Sequence, residues 1–329
     1  MRRCWATFYP GKNHGRLNRR HFAPEAVDGR AMVNPHYGNL LDLGEGLPLL
    51  PGTRAICDSG AFQERDMLKR LLAGAALDRQ LALEQRLRDE GCGPDFCFEA
   101  IVTYDCLVGV DEAIVNGKRI KRRGDEASAV GAVEATIASA AIYHRRRKEV
   151  RGAIAYAAQG ASIPQYVACV RRLLPLLRPG LDWIALGGFC IIGMQRSLIP
   201  QFVETCRVLA PLLAAHGVPR VHVLGVCVVD ALQAAADIFA AVGIELSTDS
   251  VSMETNAIMG REWDERHMQR RPGASPFLQR WKPADKLVNY HPVDLAIGNI
   301  RRFSAWLDRQ GCGEARHRPL VPYQGSLFL

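Results

Sequence analysis

From residue 54 onward the chain alternates between short β-rich runs and longer helical patterns, and no other feature limits its fold as much. The strand-like runs are 54–57, 96–104, 152–157, 182–186, 220–224 and 244–248, and helical stretches at 63–90, 127–149, 163–176, 198–215 and 229–241 lie between or after them. Strands separated by helices cannot pair as tight hairpins, so the pattern predicts parallel strands with helices outside them. Six strands are visible, and seventh and eighth candidates come from the N-terminal region and from 286–297. With 329 residues, 48% of them hydrophobic, the chain can bury a large core, and a single α/β barrel of this length is ordinary. No Gly-, Ser- or Pro-rich linker divides it. The expected organisation is one domain over 1–329: a loop-rich, basic N-terminal extension at 1–53, a core at 54–251, and the last barrel elements with a C-terminal helix and tail at 252–329.

What ends each run carries the chemistry. The first run ends in Asp58, followed by Ser59, Gly60, Ala61, Phe62 and Gln63. The second ends in Asp105, the third in Gln159-Gly160, the fourth in Gly187-Gly188, the fifth in Gly225 and the sixth in Asp249. Strands that share one parallel sheet or barrel bring these ends to one face, where barrel active sites lie. Three acids and an amide can hydrogen-bond the edge of a base, and the glycines let backbone approach a flat ring. Singly, each has a plainer use, an Asp as a helix cap or a Gly pair as a tight turn. Their coincidence at six strand ends favours a site.

Charge and cysteines point to partners and compartment. Lys and Arg exceed Asp and Glu by 42 to 34, a net charge of +8, which tilts toward a polyanionic partner. Candidate phosphate contacts are Arg16, Arg19 and Arg20 in the N-terminal basic cluster, Lys118, Arg119, Lys121, Arg122 and Arg123 in a basic loop turned at Asn116-Gly117, and the pair Arg270-Arg271. The ten cysteines form no CxxC pair and several sit in apolar runs, so reduced thiols and a cytoplasmic address are expected. No N-terminal signal is evident and no apolar run approaches a membrane span.

In order along the chain, Asp58-Ser59-Gly60-Ala61-Phe62-Gln63, Tyr104-Asp105-Cys106, Gln159-Gly160, Ala185-Leu186-Gly187-Gly188-Phe189, Leu224-Gly225-Val226 and Thr248-Asp249-Ser250-Val251 resemble six motifs of the tRNA-guanine transglycosylases. The resemblance covers roughly residues 54–251 and implies a (β/α)8 TIM barrel that exchanges a guanine base for a 7-deazaguanine. It implies Asp249 as the nucleophile that attacks C1′ and carries a covalent glycosyl intermediate. Asp58 would be the acid/base or base-orienting carboxylate. Ser59, Asp105, Gln159, Gly187, Gly188, Phe189 and Gly225 would surround and read the purine, and Phe62 and Leu224 would sandwich its ring.

Two departures matter. Only Cys312 follows Asp249, so the CxCxxC zinc site of the tRNA enzymes is absent, and no metal or other cofactor is expected. Ser252-Met253-Glu254-Thr255 stands where those enzymes carry Leu-Pro-Thr-Arg. A kept core without the tRNA apparatus resembles the relatives that insert 7-deazaguanines into DNA (the DpdA group). The partners so implied are DNA, a free 7-deazaguanine base such as 7-cyano-7-deazaguanine, and other DNA-modification proteins. The alternatives are a divergent enzyme acting on tRNA, a non-catalytic nucleic-acid-binding subunit, and a barrel enzyme for a small phosphorylated substrate.

Overall fold

A computed structural model of the chain describes residues 6–12, 24–36, 49–62, 64, 71–108, 110–115, 118–193, 195–264, 268–270 and 292–310. Its strands are β1 (Ala6–Lys12), β2 (Arg30–Val33), β3 (Arg54–Cys57), β4 (Ala100–Val102), β5 (Val110–Val115), β6 (Lys118–Arg123), β7 (Ala153–Ala158), β8 (Trp183–Leu186), β9 (Arg220–Val223), β10 (Glu245–Ser250), β11 (Arg261–Trp263) and β12 (Met268–Arg270). The described helices are α1 (Pro24–Asp28), α2 (Ala73–Leu87), α3 (Glu126–Arg145), α4 (Ile163–Leu173), α5 (Ile199–Ala215), α6 (Val229–Ala240), α7 (Ser252–Ile258) and α8 (Pro292–Leu307). Eight parallel strands close into a barrel in the order β1-β10-β9-β8-β7-β4-β3-β2, an α/β fold of the (β/α)8 TIM-barrel type.

The six strands expected in the core are all present. Of the remaining two, the strand expected from the N-terminal region is present, and the one expected from 286–297 is replaced by a second N-terminal strand. Both come from the N-terminal segment: β1 pairs with β10 (Tyr9 beside Asp249) and β2 pairs with β3, so part of the expected extension is barrel wall. The other candidate, 286–297, supplies no strand in its described part, because residues from 292 onward belong to α8. That helix packs on the outside of β1, with Phe303 edge-on to Phe8 at 4.7 Å and to Trp263 at 5.4 Å. The basic loop is also different. It is a two-stranded antiparallel ribbon of β5 with β6, placed between β4 and α3. A second small ribbon pairs β11 with β12.

Local chemistry sets several helix starts. The Asp125 carboxylate accepts from the Ser128 N–H at 2.8 Å and caps α3, while α4 and α5 begin with a proline in the first turn. The stretch Arg196–Ala215 is an exception to the expectation of short apolar runs, being long and apolar enough to cross a membrane by length and composition. Here Phe202, Val203, Cys206, Leu209, Ala210 and Leu213 bury its apolar face in the core.

Alternation along the strands divides two cores. Outward residues such as Phe8, Ile101, Ile154, Ile184 and Val221 meet the helices. Inward residues are mostly small, with Ala100, Ala153, Ala155, Ala157 and Ala185 around Tyr9, Met32, Ile56 and Trp183. The N-terminal end of the barrel is closed by ions. Arg220 donates to Glu245 at 2.6 Å and to the Tyr9 hydroxyl at 3.1 Å, and its guanidinium lies 4.4 Å from the Trp183 ring. Arg54 reaches Glu99 at 2.6 Å, and Tyr9 donates to the same carboxylate. With that end filled, chemistry is left to the opposite mouth.

Candidate active site

Asp58, Asp105, Gln159, Gly187, Gly225 and Asp249 all follow or end barrel strands, so the parallel sheet delivers them to one mouth. Asp58 accepts from the Ser59 N–H at 2.7 Å and from Asn34 Nδ2 at 3.2 Å. Burial, then the negative charges of Asp249 and Asp105, push its carboxyl up to about 7, against an ordinary 3.8. Ser59 bridges two of the acids, its N–H donating to Asp58 and its hydroxyl to Asp105. The backbone of Asp58 is fixed from behind. Gln80 Nε2, fully buried on α2, donates to the carbonyls of Asp58 at 2.8 Å and Val102 at 2.9 Å, and its Oε1 accepts from Tyr143 at 2.7 Å.

Asp105 is buried and held on both oxygens. Ser59 Oγ donates to one at 3.1 Å and Gln159 Nε2 to the other at 2.6 Å. Gln159 is completely buried, and its Oε1 has no hydrogen-bond partner among the described residues. A buried carbonyl oxygen in that state favours a ligand N–H. Gly187 leaves room for this pair. A Cβ there would lie 2.1 Å from Gln159 Nε2, so the strand end is bare to admit the amide.

Asp249 is the penultimate residue of β10 and has one oxygen engaged. Its Oδ1 accepts from the Gly225 N–H at 2.8 Å and faces His222 Nε2 at 3.2 Å, whereas its Oδ2 has no partner among the described residues. Gly225 reaches this position with φ +69°, a left-handed conformation that a side chain disfavours, and a Cβ would meet Cys190 at 2.9 Å.

The candidates for contact with a ring differ in their surroundings. Phe62 is 49% exposed on the loop after Asp58, and Leu224 packs on the inward cluster below the mouth. The Phe189 ring is buried, stacked on Tyr166 at 5.1 Å and edge-on to Phe202 at 5.0 Å, so its side chain belongs to the outer core. Only its backbone remains near the mouth, beside Gly188. The loop carrying Ser59 to Phe62 is tied down by Glu64, which accepts from Tyr104 at 2.8 Å and pairs with Arg79.

Of the expected phosphate contacts, Arg16, Arg19, Arg20 and Arg271 lie outside the described residues, as does Gln63. Lys118, Arg119, Lys121, Arg122 and Arg123 occupy β6, and Arg270 ends β12. Among the described residues no group of three His, Cys, Asp or Glu side chains is placed to hold a metal ion.

Three functional neighbours are not singled out by the sequence pattern: Asn34, Gln80 and His222. Inward alternation on β9, which puts Arg220 and His222 on one face, is the available signal for His222. The fold and the site together define a (β/α)8 barrel with three carboxylates and a buried amide at its C-terminal mouth. No protein-family model matches the chain, and no curated protein matches it.

Proposed function

We propose that this protein is a base-exchange transglycosylase that replaces guanine in DNA with a 7-deazaguanine, the expected base being 7-cyano-7-deazaguanine. The observation that carries the reading is the meeting of Asp58, Asp105 and Asp249 at one mouth in unlike surroundings. Asp249 offers an unengaged oxygen to an anomeric carbon. Asp58, held near 7, still carries a proton in a large fraction of molecules at neutral pH and can give it to a departing base. Gln159 Oε1 offers an acceptor to the N–H groups of a purine edge.

The steps balance. Asp249 Oδ2 supplies an electron pair to C1′ as the bond from C1′ to guanine N9 breaks. Guanine leaves with that pair and takes the proton of Asp58. Asp58, now ionised, removes the proton from the corresponding nitrogen of the incoming base, which attacks C1′ as Asp249 leaves with its own pair. Two displacements on one carbon retain configuration. The target nucleotide must leave its stack to reach a mouth of this kind, and the basic β6 strand supplies positive charge for its backbone. A DNA substrate places the protein in the cytoplasm with the other proteins of a DNA-modification system.

The test is incorporation of labelled 7-cyano-7-deazaguanine into duplex DNA, single-stranded DNA and tRNA, with Asp249→Asn as control. Label in DNA that vanishes in the variant supports the reading. Label in tRNA alone moves the substrate to tRNA, and no label in any polymer rejects exchange of this base by the chain acting alone.

A further inference from the structure

We infer that His222 is a positioning residue for Asp249, holding Oδ1 so that Oδ2 is the oxygen presented to the anomeric carbon. The inference rests on the base-exchange reading and deepens it. It begins in the register of two neighbouring strands, where His222 of β9 stands beside Ser247 of β10. Two residues on, Asp249 occupies the same inward face. His222 Nδ1 lies 2.9 Å from Ser247 Oγ, and Nε2 lies 3.2 Å from Asp249 Oδ1.

The donors follow from the acceptors. In the base-exchange reading Asp249 attacks as a carboxylate, which only accepts, and this assigns the hydrogen between it and His222 to Nε2. With that hydrogen on Nε2, Nδ1 of the ring is left to accept, and the completely buried Ser247 hydroxyl, which has no other partner among the described residues, is placed to donate to it. Tyr9 sets the ring from the β1 side, edge-on with centroids 6.3 Å apart. His222 is itself completely buried in an alanine-lined interior, where an apolar residue would pack without needing two polar partners.

Two donors, Nε2–H and the Gly225 N–H, therefore converge on one oxygen. When Oδ2 bonds C1′ and the base departs with the electron pair of the broken bond, Oδ1 becomes the carbonyl oxygen of the glycosyl ester and keeps both donors. When the ester breaks, charge returning to the carboxylate meets the same two groups, already oriented. His222 touches neither base nor sugar in this scheme. Its loss lowers kcat and leaves KM for the base in place.

The experiment compares wild type, His222→Gln and His222→Phe in exchange of labelled 7-cyano-7-deazaguanine into DNA, with thermal melts for each. The expected result is a kcat loss of roughly 10–100-fold in His222→Phe with KM for the base unchanged. His222→Gln, whose amide can still donate, recovers most of it. Equal loss in both variants, or wild-type kcat in His222→Phe, overturns the inference. A second readout needs no turnover: the imidazole 15N spectrum of His222 in wild type and in Asp249→Asn. An Nε2–H tautomer whose resonance moves in the variant supports the inference, and an Nδ1–H tautomer overturns it. If wild type incorporates no base, the base-exchange reading fails, while the tautomer still decides the geometry.

Discussion

Gly187 and Gln159 share one volume: a methyl group on Gly187 would stand 2.1 Å from the Gln159 amide nitrogen. That nitrogen is the donor to Asp105 at 2.6 Å, so the absence of a side chain at the end of β8 sets the position of an acid two strands away, beyond β7. Gly187→Ala is expected to push the amide off Asp105. Overpacking of this kind costs about 1–3 kcal/mol. The outcome expected is a folded protein with a lower Tm and base affinity reduced by at least about tenfold. Unchanged affinity for the free base, measured by calorimetry, would detach this pair from base binding.

Asp58 makes stability depend on pH in the direction opposite to a salt-bridged carboxylate. Its folded value of about 7 lies above the ordinary 3.8, so the folded protein holds the proton more tightly than the unfolded chain. The stabilising contribution is fully present below about pH 4 and is lost as pH rises through 7. Asp58→Asn imitates the protonated form and should escape that loss. Melts of the two proteins should coincide near pH 4 and separate by pH 8, the variant higher by ~2–5 °C. A constant difference across that range would remove the raised carboxyl. In the exchange assay, the wild-type rate of guanine release should fall as pH passes about 7.

Asp182 tests the scaffold away from the mouth. It is fully buried. Oδ1 accepts from the Ile154 N–H at 2.9 Å and lies 3.3 Å from Arg147, and Oδ2 accepts from the Arg178 N–H at 2.9 Å. Asp182→Ala leaves a buried guanidinium and two N–H groups short of acceptors. A loss of roughly 3–5 kcal/mol is expected from breaking a buried pair of this kind. Urea denaturation measures it, and a loss under about 1 kcal/mol would show that water replaces the carboxylate.

The β6 strand carries the nucleic-acid prediction. Changing Lys118, Arg119, Lys121, Arg122 and Arg123 to Gln together should weaken DNA binding and flatten its salt dependence. For duplex DNA the slope of log K against log salt should change by about 0.9 for each phosphate that is no longer neutralised. Exchange into a short oligonucleotide at saturating concentration should persist, because the acids at the mouth are untouched. An unaltered slope would assign the charge of β6 to solvent.

Strand ends were legible in the sequence because they are local events. A β-rich run, a stop and then a helical pattern place Asp58, Asp105, Gln159 and Asp249 at equivalent points without knowledge of any tertiary neighbour. Periodicity alone implied parallel strands with helices outside. It offered a strand from the N-terminal region without locating it, since Ala6–Lys12 includes Pro10 and Gly11. That segment is a strand because β10 and β2 flank it and barrel closure supplies its partners on both sides. The same is true in reverse for 292–297, where a helix forms because α8 buries Val293, Leu295 and Ala296 in the core.

The sequence by itself determined the order of the six core strands and the helices between them, and which polar residues stand at their ends. Tertiary structure decided which of those residues meet. A strand's side chains repeat every two residues, so local pattern assigns His222 and Asp249 to faces but leaves the stagger between β9 and β10 open. Barrel closure fixes that stagger, setting Ser247 beside His222 and Asp249 one step above. Closure likewise set the Gln159 amide against Gly187, because the space beside a strand end is shared with the neighbouring strand.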